Sequence, residues 1–261
     1  MRPSPSGEEL VNNLNKLNIQ SWHFSFFNFL PSLSKNSLLK RQIKLYESDI
    51  ILVFSKMSIY YTNLYLKKNN LQWPNHVKYY AIGQNTADLL SKYVKTIFFP
   101  KKEENSEELL NILYQNITKK DKIILLQGEN GRNFIQKKLT IQGFNIYLIE
   151  CYKRVLKSFD SAKEIKKWHQ YNINTFIITN SLTLQQLNKI IFKHNQEKWL
   201  LTCIIFVLGK RLFALAKKLG WKKIIVLPYA NNDFLLKIIQ NLQKNQKNQL
   251  ICWSAKEDLN L

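Results

Sequence analysis

The sequence is poor in the residue patterns that mark metal, redox and nucleotide sites. Its three cysteines, Cys151, Cys203 and Cys252, form no CxxC pair, and its four histidines form no HxxxH pair. These spacings argue against a zinc site and favour a reducing compartment over a disulfide-stapled secreted domain. The seven glycines form neither a GxGxxG nor a Walker motif, so the sequence contains no conventional nucleotide loop.

Acidic residues and long apolar runs are also scarce. The chain has 18 Asp and Glu against 39 Lys and Arg, and the resulting formal charge of +21 indicates an anionic partner. The cations are mostly scattered lysines without an Arg-rich tract, so nucleic acid is not the expected partner. The longest apolar run, residues 199–208, has about half the length that spans a bilayer. No signal peptide is visible, so we expect a cytoplasmic protein that does not bind a membrane.

The sequence does contain an internal repeat. AIGQNTADLLSKYVKTIFFP (81–100) aligns with VLGKRLFALAKKLGWKKIIVLP (207–228), at an offset of about 126 residues. The amino-terminal stretch 6–27 aligns instead with 131–152, which is the last unit of the first copy. The first copy therefore already has this unit, and the amino-terminal stretch is expected to complete the second copy.

The repeat predicts two similar lobes with a discontinuous connection. One lobe is expected to comprise 1–30 plus 156–261, and the other 36–151. Strand-like apolar runs alternate with helical patterns in each, which predicts an α/β fold with a parallel sheet flanked by helices. Two crossings are expected to form a two-stranded hinge with a cleft between the lobes, and such clefts commonly bind small molecules.

The same comparison finds no strand-like stretch ahead of the amino-terminal unit. KIILLQ (122–127) precedes the GENGR loop as a buried strand, and no matching stretch precedes MRPSPSGEEL (1–10). Either an in-frame start codon lies further upstream, or this lobe has one strand fewer.

Candidate binding residues lie where strands lead into helices, because ligands of such sheets bind beyond the C-terminal strand ends. Gly128 and Gly131 predict a tight turn with exposed N–H groups, although a plain turn is the alternative. Arg132 is expected to begin the next helix and offers a fork for a carboxylate. The candidates are Ser55, Gly83, Thr86, Gly128 and Arg132 in one lobe, and Thr179, Asn180, Gly209 and Lys210 in the other.

Two hydroxyl side chains have alternative interpretations. Thr86 lies near a predicted helix start, where its hydroxyl either caps the helix or contacts a ligand, and Leu212 stands at its place in the second copy. Tyr152 ends a predicted strand, where its phenol is either a buried aromatic group or a hydrogen-bond donor to a leaving hydroxyl. Cys151 is expected to face the opposite side of that strand as a core residue. Neither a Ser-His-Asp nor a Cys-His set accompanies them.

A further set of stretches is informative through its order along the chain: RPSPSGEELV, WHF, ESD, YYAIGQNTADLL, NSEELL, GENGR, ECYKR, LQQL, WLLTC, LAKKLGW and NNDFLL. Taken in this order, the stretches resemble uroporphyrinogen-III synthases over nearly the whole chain, to about residue 240. The resemblance implies a two-lobed, monomeric enzyme that closes linear hydroxymethylbilane to uroporphyrinogen III, losing water and inverting the last ring. It implies that no metal or cofactor takes part, and that hydroxymethylbilane synthase supplies the substrate.

The resemblance also assigns roles to residues. The family's important threonine and tyrosine fall on Thr86 and Tyr152, which implies that Thr86 orients the substrate and Tyr152 assists departure of its hydroxyl. The family's Ser/Thr positions at strand ends fall on Ser55 and on Thr179–Asn180, where Asn180 replaces a usual serine. Three other interpretations stay open: a hinge-closing receptor for an acidic ligand, a nucleic-acid-binding protein, and a low-activity or inactive member of the family.

Overall fold

The chain forms two compact units in a computed structural model that describes residues 1–2, 6–101, 104–228 and 231–243. The first, here called the discontinuous unit, combines Met1–Phe26 with the chain from Ser158 onward. The second, the continuous unit, is Phe27–Lys157.

Helices and strands alternate along most of the described chain. The first part contains α1 (Ser6–Lys16), β1 (Phe27–Pro31), α2 (Leu38–Tyr46), β2 (Ile50–Val53), α3 (Lys56–Lys68), β3 (Lys78–Ala81), α4 (Gln84–Leu90), β4 (Ile97–Phe98), α5 (Ser106–Tyr114), β5 (Lys122–Gly128), α6 (Phe134–Ile141) and β6 (Asn145–Leu156). The second part contains α7 (Ser161–Gln170), β7 (Thr175–Ile178), α8 (Ser181–Lys193), α9 (Glu197–Thr202), β8 (Ile204–Leu208), α10 (Gly209–Lys218) and β9 (Lys223–Leu227). Residues 232–243 are also helical.

The continuous unit contains one six-stranded sheet in the order β1-β6-β5-β2-β3-β4. Neighbouring strands from β6 through to β4 are parallel, and β1 is antiparallel to β6 at the edge. The central strand β2 is an uninterrupted apolar run because both of its faces are covered. Ile51 and Val53 belong to one buried cluster, whereas Ile50 and Leu52 belong to another on the opposite face. The predicted parallel sheet flanked by helices is therefore confirmed for this unit.

The two segments predicted to connect the halves pair with each other. In the β1–β6 ladder Phe27 lies opposite Leu156, and Pro31 lies opposite Tyr152. Strand β6 thus continues four residues beyond Tyr152, where the sequence analysis expected the strand to end. The extension is explained by β1, which supplies hydrogen-bond partners to the later residues of β6.

The discontinuous unit contains a three-stranded parallel sheet in the order β7-β8-β9. The amino-terminal helix α1 packs on this sheet, because its buried Leu10 and Leu14 share an apolar cluster with Phe206 and Leu227. Glu8 in its first turn lies at the positive end of the helix dipole. The amino-terminal segment therefore contributes to the core of the C-terminal half.

The long apolar run at 199–208 is divided between α9 and β8. Among the described residues, no helix is long and apolar enough to cross a membrane.

Candidate active site

Three hydroxyl groups meet at the carboxyl edge of the continuous unit's sheet. Ser55 follows β2 as the N-cap of α3, and its Oγ accepts a hydrogen bond from the Ser58 backbone N–H at 3.1 Å. The same Oγ lies 2.9 Å from the Ser58 hydroxyl and 3.3 Å from the Tyr152 hydroxyl. The structure thus brings Ser55 and Tyr152 together, although they are far apart in sequence. Ser55, Ser58 and Tyr152 are called the hydroxyl cluster below.

A shift in strand register orients Tyr152 toward this cluster. Between β5 and β6 the pairing passes from Gln127 opposite Glu150 to Gly128 opposite Tyr152, so β6 has one extra residue at Cys151. A bulge of this kind changes which face a side chain points to. Tyr152 and Cys151 consequently belong to the same buried cluster. The expectation that Cys151 faces the opposite side from Tyr152 is therefore wrong.

Gly128 is the residue on which the Tyr152 ring packs. A Cβ at Gly128 would lie 2.5 Å from the ring Cζ and 3.0 Å from the hydroxyl oxygen, so any side chain here would displace the ring. The turn that follows does not expose all of its N–H groups as predicted. The Glu129 N–H donates to the Tyr152 carbonyl at 2.7 Å, and the Gly131 N–H donates to the Gly128 carbonyl at 3.0 Å.

Aromatic rings and one cation surround Tyr152. Its ring stacks on Tyr61 with centroids 5.8 Å apart and lies 5.6 Å from the ring of Phe29. The Arg154 guanidinium lies 5.8 Å from the ring centroid. No carboxylate of the described residues forms an ion pair with Arg154, so its charge is free to bind an anion.

The neighbouring thiol is not a nucleophile. The Thr62 hydroxyl donates to the Cys151 sulfur at 3.4 Å, and burial raises the pKa of the thiol to about 12 despite this bond. Cys151 is therefore protonated at neutral pH, and a thiol is a poor nucleophile. Among the residues the structure describes, no group of three or more His, Cys, Asp or Glu side chains could hold a metal ion.

Thr86 lies in the first turn of α4, after the strand next to β2. The N-cap of this helix is Gly83, and the Thr86 backbone N–H donates to the Gly83 carbonyl at 3.1 Å. Thr86 is therefore inside the helix and does not cap it. Its side chain is buried, and no described residue hydrogen-bonds to its hydroxyl. A hydroxyl without a protein partner retains both its donor and its acceptor capacity for a ligand.

The helix start at Gly83 is occupied by a carboxylate of the chain itself. The backbone N–H of Gln84 donates to the Glu104 carboxylate at 3.2 Å. Burial raises the pKa of Glu104, and this hydrogen bond opposes the rise. A Cβ at Gly83 would lie 2.4 Å from the same carboxylate, so the glycine leaves room for it. A substrate contact at Gly83 stays a prediction.

Arg132 is not placed as the sequence suggested. It precedes α6, which begins at Phe134, and its guanidinium pairs with Glu107 at 2.6 and 3.3 Å. The guanidinium also lies 4.6 Å from the centroid of the Phe134 ring. The expectation that Arg132 begins the helix is therefore wrong, and its fork already binds a carboxylate of the protein.

Replacing Arg132 by Gln is expected to have a small effect. The pair with Glu107 is solvent-exposed, so its loss should lower the free energy of unfolding by less than about 1 kcal/mol. Urea unfolding measures this change, and Lys44→Gln is the matched control because it removes another exposed ion pair, the one with Glu47. A loss of stability above about 2 kcal/mol in the Arg132→Gln variant would contradict this assessment of the pair.

The candidates in the discontinuous unit lie at its strand ends. Asn180 caps α8, because its side-chain oxygen accepts from the Thr183 N–H at 2.9 Å, and it thus repeats the capping role of Ser55. Thr179 lies between β7 and this cap. Gly209 begins α10 with a φ of +69°, and the exposed Lys210 follows it. Gly83 has an extended φ of −179°, so the two glycines aligned by the repeat differ in conformation.

Sequence analysis missed Ser58 and Arg154, although both had a usable signal. Ser58 follows the N-cap Ser55 by three residues, a spacing at which side chains at a helix start meet. Arg154 follows Tyr152 by two residues, so both side chains lie on one face of β6. Glu104 had no such signal, because its contact with the helix start depends on the path of a loop.

Comparisons with known proteins agree with the resemblance found in the sequence. Residues 8–237 match the family model described as uroporphyrinogen-III synthase HemD. The chain is 36% identical over 241 residues to the uroporphyrinogen-III synthase of Escherichia coli K12, and the match covers 92% of this chain and 98% of that protein. The uroporphyrinogen-III synthase of Salmonella typhimurium LT2 is 34% identical over 241 residues, and that match also covers 92% of this chain and 98% of that protein.

Solved structures show the same fold at lower identity. A mutant uroporphyrinogen III synthase from Thermus thermophilus superposes with a TM-score of 0.58 at 11% identity, over 93% of this chain and 97% of that chain. The uroporphyrinogen-III synthetase of Helicobacter pylori superposes with a TM-score of 0.53 at 14% identity, over 82% of this chain and 91% of that chain. The family match spans most of the chain, and two relatives exceed 30% identity over nearly all of it. The chain therefore belongs to the uroporphyrinogen-III synthase family.

Proposed function

We propose that this protein closes hydroxymethylbilane to uroporphyrinogen III, with loss of water and inversion of the last pyrrole ring. The reaction class is that of a cyclising hydro-lyase in tetrapyrrole synthesis. Family membership supports the reaction. The contact that supports the assignment of the site is the 3.3 Å approach of the Tyr152 and Ser55 hydroxyls at the strand ends of the continuous unit.

In this proposal Tyr152 assists the first bond cleavage. The C–O bond of the hydroxymethyl group breaks with its electron pair on oxygen, and the oxygen takes a proton and leaves as water. The Tyr152 phenol donates a hydrogen bond to that oxygen as the bond breaks. The Ser55 hydroxyl, 3.3 Å away, can donate a hydrogen bond to the phenolate so formed, and the phenolate takes back a proton when the last ring loses its own after closure.

The remaining steps depend on substrate positioning. Loss of water leaves a cation that the pyrrole nitrogen stabilises, and the last ring attacks it through its substituted carbon. The resulting spirocycle reopens by breaking the older bond between that carbon and its bridging methylene, which leaves the positive charge on the methylene. The free α-carbon of the same ring then attacks the methylene and loses its proton, so the ring is closed in the inverted orientation and the charge is discharged. Holding reacting groups in position can account for a large part of a rate enhancement. Thr86, whose hydroxyl has no hydrogen-bond partner among the described residues, is proposed to orient the substrate.

The substrate is a polycarboxylate, and the chain offers cations and N–H groups for it. Arg154 lies over the Tyr152 ring without a carboxylate partner among the described residues. In the discontinuous unit, the Asn180 oxygen caps α8 and leaves its amide N–H groups for a ligand. Lys210 offers a charge in the first turn of α10. Thr179, Gly209, Gly83 and Gly128 stay predicted contacts.

The reaction is tested by the isomer of the product. Hydroxymethylbilane generated in situ by hydroxymethylbilane synthase closes without help to the type I isomer, so the type III share reports enzymatic turnover. The purified protein is expected to give mostly type III product after oxidation and chromatographic separation. Only type I product at every protein concentration would contradict the proposed function.

We further propose that the protein acts as a monomer that receives the bilane from hydroxymethylbilane synthase. The candidate residues of the continuous unit come from one chain, so no second copy is needed to assemble the hydroxyl cluster. Sedimentation velocity across protein concentrations measures the oligomeric state. Specific activity that rises with protein concentration would contradict a monomeric enzyme.

A further inference from the structure

Hydrogen bonds from two directions hold the peptide between Cys151 and Tyr152 in the continuous unit. The Ser32 backbone N–H donates to the Cys151 carbonyl at 3.2 Å, and the Glu129 backbone N–H donates to the Tyr152 carbonyl at 2.7 Å. The two holding residues also contact each other, because the Ser32 hydroxyl donates to the Glu129 carboxylate at 2.5 Å. The four residues therefore form a closed circuit, which is called the hydrogen-bond ring below.

The hydrogen-bond ring lies at the bulge of β6, where the regular pairing of the sheet is interrupted. The register between β5 and β6 shifts just before Gly128 and Tyr152 face each other. A bulge disrupts the ladder locally and leaves its extra residue unpaired. The β5–β6 ladder alone therefore does not fix the peptide between Cys151 and Tyr152, and Ser32 and Glu129 supply a further constraint. The direction of this peptide sets where the Tyr152 side chain points.

The Ser32 hydroxyl is held firmly in its place. Ser32 is buried, and its hydroxyl also accepts a hydrogen bond from the Ser34 backbone N–H at 3.2 Å. The distance to Glu129 lies in the range of charge-assisted hydrogen bonds between a hydroxyl and a carboxylate. Among the residues that the structure describes, no Lys or Arg forms an ion pair with Glu129. The Ser32 hydroxyl therefore orients this carboxylate.

A second serine in the same loop makes an equivalent set of bonds. The Ser34 hydroxyl donates to the Glu150 carboxylate at 2.6 Å and accepts from the Asn36 backbone N–H at 3.1 Å. The Glu150 backbone N–H donates to the Asn36 carbonyl at 2.8 Å. Ser34 thus matches Ser32 in chemistry, but its carboxylate partner donates back to its own loop instead of to the Tyr152 carbonyl. Ser34 is therefore a matched control for experiments on Ser32.

We propose that Ser32 and Glu129 are positioning residues of the reaction, which fix the Tyr152 hydroxyl by holding the Cys151–Tyr152 peptide. The inference rests on the function proposed above and adds two residues to its machinery. The two side chains act through the backbone of Tyr152 and need no contact with the bilane. Because Tyr152 assists bond cleavage, loss of either side chain should lower kcat and leave KM nearly unchanged.

The first test compares alanine variants by their rate of type III formation. Ser32→Ala and Glu129→Ala are each expected to lower kcat by about 10-fold, since a small displacement of a reacting group is costly. The double variant should also lose about 10-fold, because both changes open the same ring. Ser34→Ala should lower the melting temperature about as much as Ser32→Ala and change kcat by less than about twofold. Equal values of kcat in the Ser32→Ala and Ser34→Ala variants would overturn the proposal.

The second test repeats the substitution in a chain that already lacks the phenol. In a Tyr152→Phe background, Ser32→Ala is expected to change kcat by less than about twofold, because the hydroxyl that it positions is absent. A role in stability alone would give the same loss with and without the phenol. A loss of about 10-fold in both backgrounds would therefore overturn the proposal.

The third test does not depend on catalysis. The Glu129 amide, which donates to the Tyr152 carbonyl, is expected to exchange hydrogen about 10-fold faster in Ser32→Ala than in Ser34→Ala, as measured by NMR. Equal exchange rates would show that the Ser32 hydroxyl does not hold this peptide, and the proposal would fail. A parent chain that forms only type I product would contradict the proposed function instead, and the exchange comparison would still decide whether the hydrogen-bond ring holds Tyr152.

Discussion

Replacing Tyr152 by Phe is expected to lower kcat for type III formation by about 100-fold, the lower range of losses seen when a proton donor is removed. The ring should keep its place, because its contacts with Tyr61 and Phe29 do not involve the hydroxyl. The lost contact with Ser55 is long, at 3.3 Å, so the free energy of unfolding should change by less than about 1 kcal/mol. Initial rates with bilane generated in situ, together with urea unfolding, measure both quantities.

Tyr79→Phe is the matched control for this substitution. Tyr79 belongs to the same buried cluster as Tyr152, and its hydroxyl donates to the Pro74 carbonyl at 2.8 Å. Removing that hydroxyl leaves a carbonyl without its partner and should cost about 1 kcal/mol of stability without changing kcat. Tyr152→Phe is therefore expected to lower kcat with little loss of stability, whereas Tyr79→Phe is expected to lower stability and leave kcat unchanged. A Tyr152→Phe variant as active as the parent chain would show that the phenol takes no part in the reaction.

The second large effect is expected from Gly128→Ala, which adds one methyl group under the Tyr152 ring. The new Cβ would lie 2.5 Å from the ring Cζ, so the ring and its hydroxyl must move. A displacement of about 1 Å can cost about 100-fold in rate, and we expect a fall in kcat of about 10- to 100-fold. Overpacking should also lower the free energy of unfolding by about 1–3 kcal/mol.

Gly143→Ala separates the effect on the site from the effect on stability. Gly143 is an exposed residue of the same unit with a φ of +77°, and a Cβ there would lie 3.7 Å from the Lys119 Nζ atom. This substitution should cost about 1 kcal/mol through backbone strain. It should leave the rate unchanged, because Gly143 lies beyond α6 and contributes nothing to the hydroxyl cluster. Equal losses of rate in the two alanine variants would mean that Gly128 acts through stability alone.

The sheet of the continuous unit was predictable because its strands are short apolar runs that end in polar or glycine residues. Ile50–Val53 and Lys122–Gly128 are examples, and their ends correctly indicated where Ser55 and Gly128 would lie. The direction of Tyr152 was not predictable. Simple alternation along β6 places Cys151 and Tyr152 on opposite faces, and the bulge that changes this depends on how β6 pairs with β5.

The partners of the charged side chains could not be predicted from the sequence either. Arg132 pairs with Glu107, and Glu104 reaches the helix start after Gly83, across separations of about 20 residues or more. Pairs so far apart in sequence follow no fixed spacing, whereas side chains three or four residues apart on a helix regularly meet. The repeat was the more informative signal, because it associates the amino-terminal stretch with the C-terminal half, where Leu10 and Leu14 pack in the core.

The hydroxyl groups at the carboxyl edge of the continuous unit are proposed to decide which isomer forms. The most direct measurement is the type III to type I product ratio of the parent chain and of a Ser55→Ala, Thr86→Val, Tyr152→Phe variant, with circular dichroism confirming that both are folded. The parent chain should give mostly type III product, and the folded triple variant should give mostly type I product at the uncatalysed rate. A folded triple variant that forms type III product at the parent rate would contradict the claim.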